Sequence, residues 1–429
     1  MISWSGWKRA TVRKFFVAAI LSLQMSMVQN TLLAQDAKTG STSPVKPQAR
    51  SLAELVDAAK AESPIIRNAQ LGLESVVQKQ STLDKMRFLS LISRELPVRK
   101  KQSQAGLNAA SANLAQAEHD LKYAVSYAYI SIIYANQQLD VADRGINDLA
   151  TLGDIAKEIV KTGSRNDVSK KQIDQIAIFL NMFQGKREEG TQGVPRAKAA
   201  LREALGIEDS SWDLTTADKL LSLPKVEVNK DSIIKLALER RGEIQQAEAG
   251  VDAACLEVQA QQYIRSLSGR TFAAGGDIHA NILPGASLNE DYKPGALAPD
   301  MPANLFGSKK ARVEQAGILH EKAQTVAEKA KALVALEAET TYLKWIENKN
   351  KAALFLKAAE DAEKLASSLK DRFDPRGGKV TLDEVITTGI QSNSMKILAN
   401  EAIYKAHIAL IGLERVTAGG FLAPPITGK

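Results

Sequence analysis

Apolar and small residues recur within 105–161 at Leu107, Ala110, Leu114, Ala117, Leu121, Ala124 and Ala128, in alternating steps of three and four. That spacing holds one stripe of an α-helix on a single side, the pattern of a coiled-coil seam. Large Leu alternates with small Ala over most of the stripe, so a partner helix can approach closely. A helix over 105–161 would be roughly 80 Å long at ~1.5 Å per residue. That is too long for the interior of an ordinary domain, and it calls for a neighbour of similar length. Residues 308–369 supply the expected one, with Ala316, Leu319, Ala323, Val326, Ala330 and Leu333 in the same steps.

The flanking punctuation predicts the other elements. Ser51 with Glu54 three residues on has capping-box spacing and opens a helix to about Ser93. It breaks at Ser63-Pro64, where Pro suits a first helical turn. Leu96-Pro97 and the basic run Arg99-Lys100-Lys101 are expected to separate this helix from the long one. The long helix should stop at Thr162-Gly163, Gly serving as C-cap. Asn166-Asp167 then predict an N-cap for a return helix from Val168, and so short a turn makes the two helices antiparallel neighbours. Gly185, Gly190, Gly193 and Pro195 are expected to interrupt the return helix, which stops at Gly206. A connector over 207–229 holds Trp212 and a β-leaning Val226-Glu227-Val228.

The pattern then starts again. Residues 236–244 echo residues 58–66, with Gly242 where Pro64 stood, an offset of 178. Tyr342 takes the place of Tyr129 at an offset of 213, which leaves an insertion of 35 residues in a Gly- and Pro-dense stretch over 268–307. The second long helix should end near Phe373-Asp374-Pro375-Arg376-Gly377-Gly378, and a last helix covers 382–417. The expected divisions are 1–34 (signal peptide), 35–50 (flexible leader), 51–223 (first helical repeat), 224–419 (second repeat, carrying the insertion 268–307) and 420–429 (tail).

Composition narrows the functional classes. With 45% hydrophobic and 24% charged residues the chain can fold, and only 5% aromatic content favours long helices over sheets. Lys8, Arg9, Arg13 and Lys14 precede an apolar run from Phe15 to Leu23, and the leader closes near Ala34, which reads as a secretory signal. The run is shorter than the ~20 residues of a spanning helix. Without these four basic residues the net charge falls from +7 to +3, so nucleic acid is not an expected partner. Cys255 is the only cysteine, which rules out an internal disulfide, and its Ala-rich surroundings mark it as a small buried residue. His119, His279, His320 and His407 are scattered without metal-binding spacing, so no catalytic site, metal or cofactor is expected. Tyr123, Tyr127, Tyr129 and Tyr134 cluster on the first long helix, with Tyr127 and Tyr134 on one face. Interhelical packing and the lining of a channel both suit them.

Four stretches carry a resemblance. Leu236–Gln262 begins Leu-Ala-Leu-Glu-Arg-Arg-Gly-Glu and continues as an Ala-rich helix; Asn304-Leu305-Phe306-Gly307 leads into the second long helix; Gly378-Lys379-Val380-Thr381-Leu382-Asp383-Glu384-Val385 and Gly163-Ser164-Arg165-Asn166-Asp167-Val168 are corresponding turns. In order and duplication they resemble the TolC-like outer-membrane efflux proteins over about Ser51 to Gly419. The resemblance implies a mainly α fold of duplicated long antiparallel helical hairpins, the TolC-like α-barrel body. It implies a homotrimer whose strands join a barrel in the outer membrane and whose tips meet a periplasmic adaptor and an inner-membrane transporter. The partner-binding residues it implies are those of the tip turns: Gly163, Asn166, Asp167, Gly378, Thr381 and Asp383. The chain departs from the family at Gly242, where Pro is usual, and in its strands. A membrane strand takes about 9–11 residues, and residues 86–106, with Pro97 and three basic residues in a row, have no room for two. In 268–306 only Asp277–Leu283 alternates. A reduced or absent β-barrel portion is therefore expected. Two non-enzymatic functions stay open: a passive efflux or export duct, and a periplasmic helical scaffold that has lost the membrane pore.

Overall fold

The computed structural model describes residues 48–85, 93–272 and 301–426. Within them the fold is mainly α. The helices are α1 (Leu52–Glu62), α2 (Pro64–Lys85), α3 (Leu96–Thr162), α4 (Lys170–Leu205), α5 (Lys230–Arg240), α6 (Gly242–Tyr263), α7 (Lys309–Arg372) and α8 (Leu382–Val416). Their lengths run 11, 22, 67 and 36 residues, then 11, 22, 64 and 35, so one series of four occurs twice. Among the described residues no helix is long and apolar enough to cross a membrane. The strands are three residues each. β1 (Gln48–Arg50) pairs in parallel with β2 (Leu214–Thr216), and β3 (Ser268–Arg270) pairs antiparallel with β4 (Asn304–Phe306). The expected signal peptide, most of the 35–50 leader and the alternating piece Asp277–Leu283 lie outside the described residues.

Several ends form as their residues dictate. The Ser51 amide donates to Glu54 Oε2 at 2.9 Å while the Glu54 amide donates back to Ser51 Oγ, the reciprocal capping box. Pro64 opens α2. Gly163 (φ 65°) and Gly206 (φ 70°) close α3 and α4 in the left-handed conformation that glycine adopts without a Cβ penalty.

Four local expectations are corrected. The long helix starts at Leu96, not near 105, and takes in both Pro97 and the basic run. In the first turn proline lacks only an N–H that would have had no helical partner, and Arg99 and Gln102 reach inward to Glu257 of α6. The N-cap of α4 is Ser169, in a capping box with Gln172, not Asn166-Asp167. The glycines and Pro195 do not interrupt α4. A Cβ on Gly190 would stand 2.8 Å from Leu139 Cγ, so a glycine there lets α4 lie against α3. Val226–Val228 forms no strand; Leu214–Thr216 does.

The core follows the seams. Along α3, Leu107, Ala110 and Leu114 are half-buried, and from Ala117 through Leu121, Ala124 and Ala128 the stripe is buried. Tyr129, Ile130, Ile132 and Ile133 continue it against Leu55 and Ala59 of α1 and Leu201 of α4. On α7, Ala316, Ala323 and Ala330 are buried, while Leu319, Val326 and Leu333 are half-buried. The long helices are not each other's main neighbours, contrary to the seam-to-seam expectation. α3 packs along α4, α6 and α8, and α7 packs along α8 and α6. Each long helix folds back on the return helix that its own tight turn delivers, and α6 and α8 bridge the two.

Candidate functional site

The two tip turns lie together. Gly163 ends α3 with its amide bonded to Ile159 O at 2.9 Å, and Ser164 Oγ donates to Pro375 O of the second turn at 3.2 Å. The side chain that joins the turns is Arg165, which the sequence reading passed over. Only 8% of it is exposed. Nη1 donates to Asp374 O at 2.8 Å and Nη2 to Val380 O at 2.9 Å. Nε and Nη2 grip both carboxylate oxygens of Asp167 at 2.8 and 2.7 Å. The guanidinium also lies 5.1 Å from the centre of the Phe373 ring. The hydrogen bond from Arg165 holds the Asp167 carboxyl below its ordinary range, and the same bond raises the guanidinium.

The second turn is built by its own residues. Gly377 (φ 145°), rather than Gly378, carries the positive φ. Asp374 Oδ1 accepts the Arg376 amide at 2.9 Å. Thr381 caps α8: its amide donates to Glu384 Oε2 at 2.8 Å, and Glu384's amide returns a bond to Thr381 Oγ1. The bonds that the Thr381 amide and hydroxyl donate to Glu384 Oε2 lower the Glu384 carboxyl. Under both turns, Val168 of the first and Leu382 and Val385 of the second share one apolar cluster with Leu152, Ala156 and Ile159 of α3. Of the six expected contact residues, Gly163, Asn166, Asp167, Gly378 and Asp383 are exposed, and Thr381 is half-buried as a cap. The two turns together form an exposed edge in which Arg165 ties Asp167 to the backbone of the second turn.

The tyrosine cluster divides. Tyr129 is buried, and its hydroxyl donates to Asp218 Oδ2 at 2.8 Å and accepts the Asp218 amide at 3.2 Å. Burial pushes its pKa up to about 12, so it anchors the connector. Tyr123, Tyr127 and Tyr134 instead continue through Tyr404 of α8, which stacks on Tyr134 at 4.3 Å between ring centres. Tyr127, Tyr134 and Tyr404 line a cleft of about 300 Å³ with Lys186, Glu189 and Glu401. Cys255 is half-buried on α6.

No protein-family model matches the chain, and no curated protein matches it. Solved structures do. The outer-membrane channel OprN superposes with a TM-score of 0.68 at 15% identity, covering 91% of this chain and 99% of that one. The outer-membrane channel MtrE of Neisseria gonorrhoeae in its open state gives 0.66 at 14% identity over 90% and 95%. CusC, described for the conformational changes of transmembrane channel formation, gives 0.65 at 13% identity over 90% and 100%. The fold is therefore that of the TolC family of outer-membrane channels.

Proposed function

From this TolC-like fold, we propose that the chain is one subunit of a homotrimeric outer-membrane efflux or export duct. It would be a passive conduit working with a periplasmic adaptor and an inner-membrane transporter. The carrying observation is a pair of unmatched edges. In the tip half the packing order is α4–α3–α8–α7, which leaves α4 and α7 at the two ends. Along α7, Ile318, Leu336, Leu343, Leu354 and Leu365 are 51–69% exposed. Their separations of 18, 7, 11 and 11 residues are close to whole numbers of helical turns, so the five make one straight stripe. Ala323, Trp345 and Ala352 are buried on the other side of the helix. On α4, Ile178 and Met182 are the exposed apolar pair. Ile178 stands about two turns above its tip, as Leu365 does above the other. A ring in which the α7 edge of each copy seats on the α4 edge of the next would cover both, a head-to-tail contact that closes on itself. A tube of this kind needs no chemistry of its own, and the tip turns are the surface an adaptor would meet. Export by a cleaved 1–34 segment and division into repeats at 223/224 belong to the same reading.

The second reading, a periplasmic scaffold without a pore, is favoured by one count. At most ten residues, 86–95, separate α2 from α3, whereas two membrane strands with a turn take about 20 or more. Envelope fractionation with sizing of the detergent-extracted protein decides between them. A trimer confined to the outer membrane is the expected result; a soluble periplasmic monomer or dimer would replace the duct with the scaffold.

A further inference from the structure

Far from the tips, charged side chains are buried together where α3, α6, α7 and α8 meet. Asp120 of α3, Glu243 of α6, Glu337 of α7, Arg415 of α8 and Arg241, the residue between α5 and α6, are all less than a tenth exposed. Arg241 faces Glu243 with Nε and Nη2, the latter at 3.0 Å from Oε1, and Nη2 also stands 3.1 Å from Glu337 Oε2. Arg415 Nη2 donates to Glu337 Oε1, and its guanidinium lies 5.1 Å from the Tyr123 ring centre. Asp120 is the loosest member. Its Oδ1 accepts Gln116 Nε2 at 2.9 Å, but its ion pair with Arg415 Nη1 spans 3.5 Å. Among the described residues, two guanidinium nitrogens, Arg241 Nη1 and Arg415 Nε, find no hydrogen-bond partner.

The charge count does not balance. Three carboxylates face two guanidinium groups in a site closed to water, and an uncompensated buried charge is costly. Glu243 and Glu337 each lie close against a guanidinium, so the surplus falls on Asp120. We propose that this cluster is a proton-binding site: Asp120 takes one proton from solvent on acidification, which neutralises the surplus buried charge where α3, α6, α7 and α8 meet. The carboxylate becomes a neutral carboxyl, and no other bond is made or broken.

The surroundings agree. Burial pushes the Asp120 carboxyl up to about 6, reinforced by Glu243 and opposed by Arg415 and Arg241. Burial also pushes at Glu243, but the Arg241 guanidinium more than offsets it and keeps that carboxyl low. Beside the cluster, Lys122 of α3 pairs with Glu414 of α8, and Lys60 of α1 with Glu118 of α3. His119 and His407 are held below their ordinary value by burial. A carboxyl raised in the folded state binds its proton more tightly folded than unfolded, so its contribution to stability rises as pH falls from about 6 towards 3.8. The two histidines work in the opposite sense below 6.5, so the site is read by difference.

Thermal melts of the detergent-extracted full chain, wild type against Asp120→Asn, between pH 4 and 8 test the proposal. The amide is a permanently neutral stand-in for the protonated carboxyl. Above pH 7 the variant should melt higher than wild type, by roughly 2–4 °C. The gap should shrink between pH 6 and 4, and an infrared band of a buried neutral carboxyl should appear in wild type on acidification and be missing from the variant. In a Glu337→Gln background, where two carboxylates face two guanidinium groups, Asp120→Asn should lower the melting temperature instead. A variant that fails to fold, melts at or below wild type above pH 7, or shows a gap independent of pH would overturn the proposal, because Asp120 would then be needed as an anion.

Discussion

Arg165 is buried among the exposed residues 162–167 because its fork of donors finds two carbonyls and a carboxylate at once. Arg165→Ala should cost about 1.5–3 kcal/mol of local stability, the scale of lost charged hydrogen bonds, read as faster amide exchange in both turns. Arg165→Lys should not restore the protection, since a single ammonium cannot span the same acceptors. The Asp167 carboxyl is lowered by this pair, so the pair contributes fully above the carboxyl's ordinary 3.8, declines below it, and is lost as the pH falls through the lowered folded value. Spin labels on residues 166 and 378 should report one narrow distance at pH 6 and a broader one once acidification protonates Asp167. Glycines also act singly. A Cβ on Gly242 would stand 2.6 Å from the Ala112 carbonyl oxygen, whereas one on Gly72 meets nothing within 4 Å. Gly242→Ala should lose about 1–3 kcal/mol and Gly72→Ala should gain about 0.5–1 kcal/mol, measured by urea denaturation.

At the scale of the element, local rules were legible where both partners lie within a turn. Ser51-Glu54 announces its capping box and Gly163 its C-cap, whereas the equally local Ser169-Gln172 box was overlooked in favour of Asn166-Asp167. Thr381→Ala should lower stability by about 1 kcal/mol, with fraying confined to the start of α8 by hydrogen exchange. The errors arose where one residue type serves two purposes. Pro97 reads as a breaker but sits where a helix begins. Gly190 and Gly193 read as interruptions but mark close approach to Leu139 and Ala135. Arg165 reads as a solvated turn charge because its acceptors Asp374 O and Val380 O lie more than 200 residues away. β2 was missed for the same reason, since its partner β1 comes from the start of the described chain.

At the scale of the whole molecule, the repeat and the tight turns were enough to foresee two long hairpins, while their arrangement was not foreseeable. The seams suggested that α3 and α7 would meet, yet α8 and α6 stand as their shared neighbours. The exposed stripe on α7 emerges only once burial has claimed the opposite face. Leu354→Glu with Leu365→Glu should leave each subunit folded, because both side chains point away from its core. The pair should abolish the proposed trimer in light scattering; an unchanged trimer would remove α7 from the interface.

Unlike edges have a genetic consequence. In a head-to-tail ring each subunit contributes one α7 edge, so a single altered copy leaves a gap that no neighbour can seal. If wild-type and L354E/L365E chains mix freely in equal amounts, only about one trimer in eight is wholly wild type. Under the proposed duct, co-expression should therefore be dominant-negative, with the share of sealed trimers falling far more steeply than the share of wild-type chain.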